Sequence, residues 1–175
     1  MRTLTVGLAV VALIAAWFLP ALAQQPGAIM PGRAIGPIQL GMPLDRAREI
    51  MAGWGTVEPY DGPLGHGVCN PEGGVGVCVF DRWPRLSLSG ADRVVYIFTD
   101  DARFTTVPGG HKVGGALLDM LKTFGLYSSG TETELLWDSQ GLSVDVRATQ
   151  SGLIVGVIGI YSPRSVAGSR PRTAH

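Results

Sequence analysis

"PGGHKVGGALLDMLKTFG", residues 108–125, is the stretch on which the reading of this chain turns. Glycines, a lysine and an amphipathic run suggest a phosphate-gripping loop feeding a helix. That motif, G-x-x-x-x-G-K-[ST], needs Lys and then a hydroxyl directly after its last glycine, because the lysine and the loop N–H groups hold the phosphates together. Here Lys112 lies between Gly110 and Gly114 and no Ser or Thr follows it. The preceding Phe104-Thr105-Thr106-Val107-Pro108 reads as a connector, not as the buried strand that such a loop needs. The glycines are better read as a tight turn into a helix, with Gly125 as its C-terminal cap. Leu117, Met120, Leu121 and Phe124 fall at helical spacing between them.

Upstream, "IGPIQLGMPLDRAREIMAGWG", residues 35–55, follows the same plan. Leu40-Gly41 corresponds to Val113-Gly114. Leu44, Ala47, Ile50 and Met51 make the helical stripe, Pro43 suits the first turn, and Gly53 stands where a cap belongs. The correspondence continues downstream. Phe80-Asp81 precedes Leu86-Ser87-Leu88, as Trp137-Asp138 precedes Leu142-Ser143-Val144, and apolar strands follow at 94–98 and 153–161. Such self-similarity predicts two tandem copies of a helix followed by antiparallel strands, in residues 34–99 and 100–162. The expected fold class is α+β.

This doubled pattern of glycine, apolar residues, Leu-Gly-Met, a short helix closed by glycine and then strands resembles the β-lactamase inhibitory protein and the outer-membrane assembly lipoproteins of SmpA/OmlA type. The resemblance spans residues 34–162. It implies helices packed on one face of an antiparallel sheet and, by analogy with the inhibitory protein, a concave sheet surface that grips a partner protein. Two departures accompany it: one pair of cysteines instead of one per unit, and no lipid-anchoring cysteine. No inhibitory residue can be carried over position by position.

The ends place the protein. Arg2, the apolar run Leu4 to Leu19 and Ala21-Leu22-Ala23 make a secretory signal peptide over residues 1–23, with cleavage expected after Ala23. An uncleaved anchor is the alternative reading of a run so close to the ~20 residues of a span. After cleavage no stable membrane span is expected, and the mature protein is placed in a periplasm or outside the cell. Residues 24–33 read as a flexible lead-in and 163–175 as a disordered basic tail carrying Arg164, Arg170 and Arg172. Acids and bases balance at 14 each over the whole chain, so nothing global suggests nucleic acid. Between Gln24 and Ser162, however, acids outnumber bases by 14 to 10, a net of −4.

Cys69 and Cys78, the only cysteines, flank "NPEGGVGV". With Gly73-Gly74 as a two-residue hairpin turn, 69 and 78 face each other as a non-hydrogen-bonded pair, where opposing Cα atoms are closest. A disulfide is expected, as suits an exported protein.

Chemistry is harder to find. His66 and His111 lie in separate loops and read as surface residues, and Asp100-Asp101 as a solvated turn. No local spacing makes a metal site, no cofactor motif is present, and no nucleophile elbow occurs. Trp54, between glycines just past a helix, Trp83, before a proline, and Tyr60 are candidate partner-binding residues. Each is equally explicable as a cap on its own repeat's core. Trp137, alternating with core-type residues, reads as core. The sequence thus points to an exported, non-enzymatic protein-binding module, inhibitor-like and with another exported or envelope protein as partner. An envelope assembly or stress accessory protein is the alternative. A small hydrolase is a second one, and it needs a pocket where His66 or His111 meets carboxylates.

Overall fold

Apolar residues alternating with small or polar ones fill much of the chain, and these segments become strands. The structure, a computed structural model, describes residues 27–62, 65–70 and 76–163. The chain starts with β1 (Ala28–Met30), β2 (Ala34–Ile35) and β3 (Ile38–Gln39), which lead into α1 (Leu44–Ala52). Next come β4 (Glu58–Gly62), β5 (Gly65–Cys69), β6 (Val77–Trp83), a 3-10 turn (Pro84–Leu86), β7 (Leu88–Ser89) and β8 (Tyr96–Thr99). After β9 (Thr105–Thr106) and α2 (Leu117–Phe124) the chain closes with β10 (Ser129–Gly130), β11 (Glu134–Trp137), β12 (Leu142–Thr149) and β13 (Gly152–Tyr161).

This architecture corrects the expected α+β pair of tandem helix-plus-sheet repeats. The protein is mostly β, and its helices have only nine and eight residues. The strands of both halves merge into one nine-stranded sheet of order β10-β11-β12-β13-β8-β6-β5-β4, with β7 attached to β6. The seam is antiparallel pairing of β8 with β13, in the register Tyr96↔Tyr161 to Thr99↔Ile158. The physical reason is an edge: the last strand of each half exposes unpaired N–H and C=O groups, and each satisfies them on the other. A second, four-stranded sheet of order β3-β2-β1-β9 was not foreseen at all. It draws β1 from the lead-in expected to be flexible, with Ile29 fully buried, and β9 from the stretch read as a connector. The signal peptide, the hairpin tip at Gly73-Gly74 and the basic tail beyond Pro163 lie outside the described residues.

The glycines do make turns into helices. Gly41 N–H donates to Val94 O at 2.7 Å and Val94 N–H to Met42 O at 2.8 Å. Gly114 N–H donates to Val155 O at 2.8 Å and Val155 N–H to Gly115 O at 2.9 Å. Gly41 and Gly114 hold φ values of 81° and 83°, a region that a side chain disfavours. Gly125 ends α2 with positive φ, whereas Gly53 simply continues the helical conformation at the end of α1.

Two apolar clusters lie on opposite faces of the large sheet, as the two-residue period of strands requires. On one face Leu44, Ala47 and Met51 of α1 and Leu117 and Met120 of α2 join Val79, Ile97, Val144 and Ile158. The other face carries Phe80, Trp83, Leu86, Tyr96 and Tyr161, and no residue of α1 or α2 belongs to it.

Candidate interaction face

The helix-free face is built from rows of residues that stand abreast across the strands. One row runs Glu58, Cys69, Cys78, Phe98, Gly159, Ser143 and Leu136. The next runs Tyr60, Gly67, Phe80, Tyr96 and Tyr161. The aromatic rings pack on one another. Trp83 stacks on Tyr96 with centroids 4.4 Å apart, Phe80 on Phe98 at 5.7 Å, and Tyr60 meets Phe80 edge-on at 5.6 Å. Glycine makes room for them: a Cβ at Gly159 would run into the Tyr96 hydroxyl and Ser143 Oγ. That hydroxyl and Ser143 Oγ are hydrogen-bonded at 2.8 Å, and burial pushes the Tyr96 pKa well above the ordinary tyrosine value.

The disulfide joins the same row. Cys69 and Cys78 are bridged and directly paired, with Cα atoms 4.1 Å apart. The neighbouring pair, where Asn70 N–H donates to Val77 O at 3.0 Å, is the hydrogen-bonded one. The cysteines therefore occupy the close, non-hydrogen-bonded position that the sequence register implies. A bridge of this kind is consistent with an oxidising, exported compartment.

A charged group secures the 3-10 turn over the face. Arg85 reaches Glu134 at 2.8 Å, and Glu134 is paired across the ladder with Asp145. Burial holds both carboxyls above their ordinary range. Arg85 opposes the shift at each, and Arg147 opposes it further at Asp145.

The three predicted contact residues are not brought together as one surface. Tyr60 lies half-buried on the helix-free face. Trp83 is only 4% exposed, so it is a core residue and does not offer its ring to a partner. Pro84 opens the 3-10 turn, which folds the chain back and lays Trp83 on Tyr96. Trp54 is half-buried on the other side of the sheet, against the helix-side cluster and edge-on to Phe104. Trp137 is buried, as its alternation implies, and its Nε1 donates to Gly125 O at 3.0 Å. Sequence reasoning missed Phe98 and Leu136, both half-buried on the face beside Tyr60's cluster. The signal was available for Phe98: in Tyr96-Ile97-Phe98 the aromatics alternate with a core isoleucine.

His66 and His111 are both partly exposed, as surface residues are, but His66 lies in β5 and not in a loop, and each ring is hydrogen-bonded. His66 Nδ1 lies 2.8 Å from Asp81 Oδ1, and the buried Asp81 also accepts from the Asp92 N–H at 3.3 Å. Asp81 thereby orients the His66 ring and holds the turn before β8. Among the described residues nothing is bonded to His66 Nε2. His111 Nε2 lies 2.7 Å from Thr123 Oγ1. Asp101 is clamped by the Arg103 guanidinium, which holds its carboxyl below the usual range. No cluster of three metal-ligating side chains occurs among the described residues, and no described helix is long and apolar enough to cross a membrane.

Comparison with protein-family models, with curated proteins and with solved structures finds no match.

Proposed function

We propose that this is an exported, periplasmic or secreted protein-binding module that engages another exported or envelope protein with the helix-free face of its large sheet. One observation carries the reading. Sheet faces are normally covered by a second layer. Both helices lie on one side here, while the other side presents Tyr60, Phe98, Leu136 and the disulfide partly open to solvent. A rigid aromatic sheet floor suits an anchor surface, because its rings are already ordered before a partner arrives.

The test is capture from an envelope extract of the source cells by the mature chain. Capture should be lost in Tyr60→Ala and Leu136→Ala and kept in Leu126→Ser, a change at a residue 86% exposed outside this cluster. Loss in all three, or in none, with unchanged melting curves, defeats the reading. Outer-membrane assembly machinery among the captured proteins would favour the envelope accessory role over an inhibitor-like one. The His66–Asp81 pair supplies the hydrolase alternative with its discriminating residue. Turnover of a generic ester or peptide substrate, abolished by His66→Ala without loss of fold, would replace binding by catalysis.

A further inference from the structure

The face contains a hollow of about 280 Å³ floored by the Cys69–Cys78 disulfide and walled by Tyr60 and Phe98. Glu58 and Asp100 also line it. Glu58, Cys69, Cys78 and Phe98 stand abreast on four neighbouring strands, so Glu58 and Phe98 are separated by about 14 Å at the usual strand spacing. Asp100 lies two residues beyond Phe98. The carboxylates therefore flank the apolar floor from opposite sides. Neither has a hydrogen-bond or ion-pair partner among the described residues, in contrast to Glu134 and Asp101, which Arg85 and Arg103 neutralise. Among the described residues no lysine or arginine lines the hollow.

Resting on the binding role given above, we infer that this hollow receives a basic side chain, arginine or lysine, of the partner protein. The chemistry is complementary in both parts. The methylene stem of such a residue covers apolar surface while its head stays charged. Here the stem lies over the disulfide and Phe98, and the head meets Glu58 or Asp100. A guanidinium or ammonium also suits the aromatic ring faces of Tyr60 and Phe98. An acidic or purely apolar residue leaves two carboxylates uncompensated. The net charge of −4 between Gln24 and Ser162, of the same sign as these two carboxylates, attracts a basic partner of opposite charge.

The probe is a capped tripeptide, acetyl-Gly-Arg-Gly-amide, titrated into the ¹⁵N-labelled mature protein and followed by amide shifts. Norleucine and glutamate replace arginine in two control peptides. Saturable shifts at Cys69, Cys78 and Phe98 are expected with arginine only. They should weaken with added salt, and Glu58→Gln or Asp100→Asn should each weaken affinity by up to about fivefold, the range of an exposed ion pair. Absence of saturable shifts, equal shifts with norleucine, or affinity unchanged in the double variant overturns the inference. The same double variant in the capture experiment separates the two claims. If it captures the partner as wild type does while Tyr60→Ala does not, the binding face stands and the basic-residue pocket falls.

Discussion

Position 83 shows how a single residue's environment is decided by the chain that follows it. A tryptophan before a proline looks like an exposed loop residue, yet Pro84 turns the backbone so that the indole closes over Tyr96. Trp83→Ala is therefore expected to cost about 3–5 kcal/mol of stability, the range for truncating a buried aromatic, as measured by urea unfolding. Tyr60→Ala, at a half-buried ring, should cost clearly less. Gly159→Ala should destabilise by about 1–3 kcal/mol, the usual cost of overpacking, because its new methyl group displaces the Tyr96 hydroxyl from Ser143. Charge adds a pH dependence at Asp145 and Glu134. Burial raises both carboxyls in the folded protein, so the fold binds protons that the unfolded chain releases. Their contribution is fully present below the unfolded carboxyl range near ~4 and is lost as pH rises through the raised folded values. Asp101, lowered by Arg103, acts in the opposite sense, with stability present above the ordinary range and lost as pH falls. Asp145→Asn should accordingly raise the urea midpoint at pH 7 and change it little at acidic pH, where the wild-type carboxyl is already protonated. An equal gain at both pH values would refute the assignment.

Among the elements, the disulfide hairpin is the one whose geometry was most legible in the sequence. Its register needed only the count of residues between two cysteines and a Gly-Gly turn, both local. Thiol titration of the denatured, unreduced protein should find no free thiol, and Cys69→Ser/Cys78→Ser should lose about 2–3 kcal/mol, as expected for so short a loop. The two helices were legible for the same reason: Leu44, Ala47 and Met51, and Leu117 and Met120, lie within one or two turns of each other and are buried as their spacing implies. Strand partnership was not legible. Nothing within Tyr96–Thr99 names Ile158–Tyr161 as its neighbour, because alternation fixes which face a residue occupies but not which strand lies beside it. The same limit hid half of the candidate face. Tyr60 and Phe98 share a hollow only because three intervening pairings place them there. Trp54 looked equivalent to Tyr60 by composition but belongs to the opposite side of the sheet.

At the scale of the molecule, β13 is the piece on which the large sheet depends. It lies between β12 and β8 and is the longest described strand, at ten residues. A chain ending at residue 151 should lose cooperative unfolding altogether, instead of folding as a smaller protein, when followed by circular dichroism in urea. Retention of a sharp transition would show that the chain up to residue 151 is self-sufficient. There is a temporal side to this placement. The strand at the middle of the sheet is the last of the described strands to be synthesised, and its partner β8 precedes it by more than fifty residues of chain. The sheet cannot close while the chain is still emerging, since its centre has not yet been made. A polypeptide with that order of assembly keeps the centre of its large sheet open until the last described strand is made.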